Sequence, residues 1–508
     1  MAFRRSQWVA AGLVGSVAVA TAVAITLALQ PSGSAATGLS AAPLGVNVAP
    51  WDGLYTGSSA AAVQPLLSAA GIKQLRYGGG SYADFYNWQT NINVGACGQS
   101  GPSASGCTAQ NPLGFAEFSR QARAVGAESL VTVNYGSGTP AQAAAWVTEA
   151  AQTAGQNVAL WEVGNETYGC WETNDKLAGA PEYYKGYQPS VNGDPDNATC
   201  PETAQGEATG MRTLATSYAV NAEQFLKAMK AADPSAVLGV PWAFGPEVSG
   251  SEVADAAEWN DTVLQTDGAD VGFVDAHYYP FTFSGATGGA NPSDSQVLHA
   301  LLKIPSLQAS IRQELASRDP SATVVIGETA VSNGSTTTGC APVGAVFAAG
   351  DVLSWLAAGA QSVDWWSLND TANTGASCVS PGSGLFTSAT SPRPETPYYG
   401  YLLASKLAQP AAELKFLTTS DPADVLAYQS WRPDGKHVVA FINLNPSAAA
   451  NVTFPAVPGL TGTLDYWSYS AGAQNATHSN VETGTTPAAS VATHIGLPPE
   501  SITVLETQ

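Results

Sequence analysis

Two glutamates, Glu166 and Glu328, are the residues of this chain best placed to do chemistry. Glu166 closes the run Val158-Ala159-Leu160-Trp161-Glu162-Val163-Gly164-Asn165-Glu166, which reads as a buried strand ending in an Asn-Glu pair beside a glycine. An apolar strand needs no carboxylate at its end, and burying one unpaired is costly. A carboxyl group at the mouth of a parallel barrel can instead act as a general acid with a raised pKa. Glu328 ends a second such run. Two carboxyls facing each other across a cleft are what cleavage of a glycosidic bond requires. One donates a proton to the leaving oxygen while the other supports charge at the anomeric carbon.

The elements that must position them follow from periodicity. Short apolar runs at 45–51, 74–79, 129–135, 158–166, 236–242, 273–279, 323–328 and 362–368 read as strands. Between most of them lie Ala/Leu-rich helical patterns, at 60–70, 115–125, 141–153, 218–232, 295–316 and 343–358. Eight strand–helix repeats predict a (β/α)8 barrel. The alternative, a doubly wound open sheet, has no G-x-G-x-x-G or P-loop to support it. Strands four and seven lie across the mouth from each other in such a barrel.

Polar and aromatic residues gather at the C-terminal strand ends, where barrel active sites are built. These are Trp51-Asp52, Arg76, Asn134-Tyr135, Asn165-Glu166, Trp242, His277-Tyr278-Tyr279, Glu328 and Trp365-Trp366. Arg76 reads as a site cation or a structural ion pair, and His277 as a site residue or a core histidine. Trp51 and Trp242 read as platform or core, and one of Trp365 and Trp366 as packing only. Glu162 shares the strand parity of Glu166 but lies two periods deeper, as a structural ionic group. Glu172 and Asp52 are expected at the rim.

From about residue 411 the pattern changes to short alternating strands at 423–428, 437–443, 450–454, 462–469 and 501–505, with Pro, Gly and Asn turns between them. This predicts an antiparallel β-sandwich packed on the barrel. The segment before strand one is a candidate extra strand for it. The expected domains are residues 1–36 as a targeting segment with a short linker, 37–408 as the barrel and 409–508 as the sandwich.

The strand-end motifs resemble those of the retaining clan A glycoside hydrolases. Arg76-Tyr77-Gly78-Gly79-Gly80-Ser81-Tyr82 with Tyr86-Asn87-Trp88 is similar to the strand-two motif of the family 51 α-L-arabinofuranosidases. Gly164-Asn165-Glu166-Thr167-Tyr168-Gly169-Cys170-Trp171 is similar to their acid/base motif, and His277-Tyr278-Tyr279 to their strand-six motif. The resemblance covers roughly residues 45–408. Two departures bear on the sugar. Gly78 and Ser81 stand where that family has Pro and Asn, and Ile326-Gly327-Glu328-Thr329-Ala330 lacks its Asp-Glu-Trp. An Arg-x-Gly-Gly motif also occurs in the β-glucuronidase and heparanase-like family of the same clan, so that alternative stays open.

The resemblance implies a role for each matching residue. Glu166 would be the general acid/base and Glu328 the nucleophile. Arg76 and Tyr279 would donate hydrogen bonds to Glu328. Asn165 would bind the sugar hydroxyl beside the anomeric carbon, and Trp366 would floor the ring. His277, Trp51 and Trp242 complete the expected substrate-binding set.

Composition narrows the partners. A formal charge of −21 with only 19 Lys+Arg argues against nucleic acid or an anionic membrane surface. Hydrophobic content of 45% and 13 Trp support a real core. The expected partner is an oligo- or polysaccharide. No H-E-x-x-H or G-x-S-x-G occurs, which argues against a metallohydrolase and an esterase, so no metal or cofactor is expected. The rivals are a carbohydrate-binding barrel without turnover and a transglycosylase.

At the N-terminus, Arg4-Arg5 precedes an apolar run over 8–29, Pro31 and candidate cleavage sites near Ala36 and Ala42. This predicts an export signal, with an uncleaved membrane anchor as the alternative. Cys97, Cys107, Cys170, Cys200, Cys340 and Cys378 fit an oxidising compartment and show no C-x-x-C spacing. Sequential pairing, 97–107, 170–200 and 340–378, is the simplest of their connectivities.

Overall fold

A computed structural model describes residues 38–93, 110–152, 158–169, 172, 174, 176, 204–248, 253, 255–281, 292–332, 338–339, 341–370, 384–387 and 392–508. The apolar N-terminal run, all six cysteines and Trp171 lie outside the described residues. Among the described residues no helix is long and apolar enough to cross a membrane.

The eight expected strands are present: β1 Leu44–Val48, β2 Gln74–Tyr77, β3 Glu128–Val133, β4 Val158–Val163, β5 Val237–Trp242, β6 Phe273–Tyr278, β7 Thr323–Thr329 and β8 Ser362–Trp365. They pair in parallel, each with its neighbours in the chain, and β8 closes on β1 to complete the barrel. Helices α1 Gly57–Ala69, α2 Phe115–Val125, α3 Pro140–Gln152, α4 Ala204–Ala232, α5 Ala256–Asp267, α6 Asp294–Ala300, α7 Ile304–Arg318, α8 Pro342–Ala358 and α9 Thr396–Ala404 surround it. The sequence pattern does not single out α5, whose Asn, Asp and Thr are weak helix formers. Burial of Trp259, Val263 and Leu264 holds it. The single helical stretch expected over 295–316 is two, α6 and α7, joined by a 3-10 turn at Leu301–Lys303.

Strand alternation divides the side chains into two sets. Leu44, Val46 and Val48 of β1 face the helices, whereas Asn47 faces the barrel interior. The interior has an apolar layer of Leu130, Leu160, Phe273 and Val325. Above it, toward the strand C-termini, lies a polar layer that includes Asn47, Arg76, Thr132, Glu162 and Asp275. This polar layer is the foundation of the site.

The C-terminal region is a six-stranded antiparallel sheet and a two-stranded ribbon. The sheet holds β9 Glu413–Phe416, β10 Val425–Trp431, β11 His437–Asn443, β13 Thr463–Ser470, β14 Glu482–Pro487 and β16 Ser501–Thr507. The ribbon pairs β12 Ala450–Thr453 with β15 His494–Leu497. Alternation again assigns the faces. Val439, Phe441 and Leu505 pack against Val452 and Ile495 of the ribbon. Val438, Ala440, Ile442, Ile502 and Val504 join the core that includes α8. Helix α8 is largely apolar and buried on nearly every side, as a helix between two layers must be. The segment before β1 adds no strand. It exchanges two backbone hydrogen bonds between Leu39 and residues 411–412 (Leu39 N to Ala412 O, 2.9 Å; Ala411 N to Leu39 O, 3.0 Å).

Candidate active site

Arg76 is the hub of the barrel mouth. Its β2 parity points it inward, and it is 1% exposed. Nη1 donates to Glu328 Oε1 at 2.7 Å and to Asn47 Oδ1 at 2.9 Å. Nη2 donates to Glu162 Oε2 and Asn165 Oδ1, both at 2.9 Å, and Nε lies 3.4 Å from Asp275 Oδ2. A buried guanidinium is tolerable only when its donors are met. Burial alone would lower its pKa, but Glu162, Glu328 and Asp275 together hold it well above the ordinary value. Burial in turn pushes the Glu162 carboxyl up, against the pull of Arg76, His277 and the Thr132 hydroxyl.

The two glutamates meet above this layer. Tyr279 Oη donates to Glu328 Oε2 at 2.7 Å, so each oxygen of Glu328 has its own donor. His277 Nδ1 lies 2.8 Å from Glu166 Oε1 and 3.6 Å from Glu328 Oε2. One oxygen of each glutamate and a ring nitrogen of His277 lie within 4.8 Å of one another. Burial would keep His277 neutral, but Glu328, Asp275 and Glu166 outweigh it and raise its pKa well above the usual range. The imidazole thus lies between two acids whose charges favour its protonated form. Tyr168 Oη donates to Glu166 Oε1 at 3.3 Å.

Local backbone aims these groups. After β4 the chain turns through Gly164 at φ 81° and Glu166 at φ 39°. A left-handed glutamate is strained by about 1–3 kcal/mol and persists only where its surroundings over-determine it. A β-bulge between Asp275 and His277 brings His277 level with Glu328. Gly80, at φ 60°, sits where a Cβ would lie 2.9 Å from the Trp366 ring and 3.5 Å from Glu328 Oε1. The Trp366 ring edge and the nucleophile candidate thus share one small space that only glycine leaves open.

The structure brings together Arg76, Asn165, Glu166, His277, Tyr279, Glu328 and Trp366. It does not bring Trp242 or Trp365 to this cluster. Trp242 shares the β5 parity of Leu238 and Val240 and packs in the core, and Trp365 is fully buried there against Phe347 and Tyr401. Trp51 is half-buried in the turn after β1, and among the described residues no hydrogen bond or ring contact ties it to the carboxylates. Asp52 and Glu172 are not rim residues. Asp52 is buried, accepting from Leu54 N at 2.8 Å and from Asn369 Nδ2, and burial raises its pKa to about 7. Glu172 is 1% exposed behind Asn165. Asn47, Thr132 and Asp275 were not singled out in the sequence, although each lies on the inward parity of its strand. Asp275 stands two residues before His277, which was the available signal.

No model of a described protein family matches the chain. Barrel, strand-end glutamates and appended antiparallel sheet together resemble the clan A glycoside hydrolases. Within that class, solved structures of α-L-arabinofuranosidases are similar over nearly the whole chain. The Thermotoga maritima enzyme in its arabinose complex is 16% identical, covers 93% of this chain and 97% of its own, and gives a TM-score of 0.66. The family 51 enzyme of Bifidobacterium longum is 15% identical, with 94% and 97% covered and a TM-score of 0.65. At these identities the likeness is one of fold. Among curated proteins, a probable α-L-arabinofuranosidase C of Aspergillus flavus is 27% identical over 138 residues, 24% of this chain and 27% of the relative. The match thus spans about a quarter of that relative's length.

Proposed function

We propose that the chain is a retaining glycoside hydrolase that cleaves O-glycosidic bonds of an oligo- or polysaccharide, with α-L-arabinofuranosides as the first substrate class. The observation that carries this is the closeness of Glu166 and Glu328, with oxygens inside 4.8 Å. A gap of about 5 Å suits a nucleophile, whereas water-mediated inversion needs about 6.5–9.5 Å.

The contacts support the role that the resemblance implies for each residue. Glu328, held by Arg76 and Tyr279, attacks the anomeric carbon as that carbon's bond to the leaving oxygen breaks, giving a neutral glycosyl–enzyme ester. Glu166 and His277 share a proton at 2.8 Å, and Glu166 delivers it to the leaving oxygen. In the second half, Glu166 takes a proton from water, which attacks the anomeric carbon and releases Glu328. Asn165 binds the neighbouring hydroxyl, and Trp366 lies beside the reacting centre.

A neutral sugar is favoured over a uronate. A uronate carboxylate calls for an uncommitted cation, and Arg76 is already engaged by Glu162, Asp275 and Glu328. Export through the N-terminal segment belongs to the same proposal, since polysaccharides are met outside the cell. A panel of nitrophenyl glycosides that includes α-L-arabinofuranosides and β-glucuronides tests the reading. Release from the arabinofuranoside supports it, and release from the glucuronide alone overturns the substrate class. Failure to cleave any glycoside, with sugar binding intact, favours the non-hydrolytic barrel.

A further inference from the structure

Behind Asn165 lies a second pair of acids that the proposed reaction does not use. Asp84 belongs to the 3-10 turn Gly80–Phe85 after β2, and Glu172 follows β4. Both are buried, at 0% and 1% exposure, and their carboxyl groups adjoin, so that the charge of Asp84 bears on Glu172. Glu172 Oε1 accepts from Asn165 Nδ2 at 3.0 Å and from Ser81 Oγ at 2.7 Å. Among the described residues, its Oε2 and both Asp84 oxygens meet no hydrogen-bond partner. Two buried carboxylates in contact cannot both be ionised. A proton between them supplies the missing donor.

We propose that Asp84 and Glu172 share one proton, carried on Glu172, and that Glu172 thereby positions Asn165 in the site. The inference rests on the glycosidase reading for its kinetic consequence. The surroundings decide where the proton sits. Asp84 lies in the positive field of Lys176, which favours its ionised form. Lys176 Nζ is anchored to the carbonyl oxygens of Tyr135, Gly136 and Gly138. For Glu172, burial comes first in favouring the neutral form, followed by the charges of Asp84 and Glu166. Among the described residues the Tyr135 phenol also faces Asp84, and burial with the Asp84 charge keeps it protonated.

Asn165 is consequently held at both ends. Its Oδ1 takes Arg76 Nη2 at 2.9 Å, and one N–H of Nδ2 goes to Glu172. The amide cannot flip without losing both bonds, and the second N–H is left for a sugar hydroxyl. Glu172 is a positioning residue, since it acts through Asn165.

The test compares Glu172→Ala, Glu172→Gln and Asp84→Asn. Gln reproduces a neutral Glu172, with its oxygen toward Asn165 and Ser81 and its N–H toward Asp84. Glu172→Ala is expected to lower kcat by about ten- to hundredfold with little change in KM, because Asn165 loses its orientation. Glu172→Gln is expected to recover most of that loss. Asp84→Asn donates to Glu172 and moves the negative charge onto it, beside Glu166, so the basic limb of the kcat/KM profile shifts to higher pH. Glu172→Gln as damaging as Glu172→Ala, or an unmoved limb in Asp84→Asn, overturns the proposal.

Infrared spectroscopy reads the proton without turnover. The wild type minus Glu172→Gln difference at neutral pH is expected to show one protonated carboxyl band, and its absence also overturns the proposal. A wild type that hydrolyses nothing sinks the glycosidase reading and leaves the infrared result to decide the pair.

Discussion

Replacing Arg76 with Met keeps much of the side chain's volume and deletes its charge. The substitution leaves Glu162, Asp275 and Glu328 in a buried layer without their shared cation. Removing one partner of a buried ion pair costs about 3–5 kcal/mol, a large part of a typical stability of roughly 5–15 kcal/mol. The deficit must depend on pH. Without Arg76 at least one carboxyl in the layer stays protonated in the folded variant while the unfolded chain ionises it. A folded state that binds an extra proton loses about 1.4 kcal/mol of relative stability per pH unit as pH rises. Glu162 is the first candidate, since burial already raises its pKa and Arg76 opposes that rise. Urea unfolding of wild type and variant at a series of pH values, from about 8, where the wild-type Glu162 carboxyl titrates, to about 10, should show the gap widening by about 2–3 kcal/mol. A gap below about 1 kcal/mol, the range of exposed pairs, or one indifferent to pH, would refute the reasoning.

Three further outcomes follow from single contacts. Tyr279→Phe removes one donor to Glu328 and should lower kcat/KM by about ten- to hundredfold, the worth of a hydrogen bond to a charged group, with the melting temperature little changed. Gly80→Ala places a methyl 2.9 Å from the Trp366 ring at a φ of 60°. It should lower kcat/KM more than tenfold and cost about 1–2 kcal/mol of stability in thermal unfolding. Asp351 is buried in α8, where burial outweighs the hydrogen bond it accepts from Thr329 and lifts its pKa from 3.8 to about 8. Its folded pKa is raised, so its contribution to stability is full below about pH 4 and is lost as pH climbs through about 8. Asp351→Asn should flatten the fall in wild-type stability over that window by about 1.4 kcal/mol per pH unit, as followed by denaturant unfolding.

The barrel could be read from the chain because its strands are buried on both sides and bounded by helical patterns. All eight appear within a few residues of their expected places. Helix α5 escaped because its stability comes from tertiary burial of Trp259 and not from propensity. The ribbon strand β15 and the edge strand β14 escaped for another reason. His-Ile-Gly-Leu alternates over only four residues and is interrupted by a glycine, and Glu-Thr-Gly-Thr-Thr-Pro carries no apolar alternation at all. In the site, Glu166, Glu328, Arg76 and Tyr279 announced themselves as polar residues at strand ends. Asn47 and Asp275 were legible only through strand parity, and the bulge beside Asp275 obscures even that. Glu172 and Asp84 could not be inferred. Nothing in a linear sequence says that two acids from separate loops share one buried space.

Azide rescue followed by product stereochemistry tests the central claim most directly. Glu328→Ala should be inactive on an aryl arabinofuranoside and recover with azide, giving a glycosyl azide of inverted configuration by NMR. Glu166→Ala should instead accumulate the glycosyl–enzyme and give the retained azide. An inverted azide from Glu166→Ala, or Glu328→Ala keeping wild-type turnover without azide, would contradict the assignment of Glu328 as nucleophile and Glu166 as acid/base.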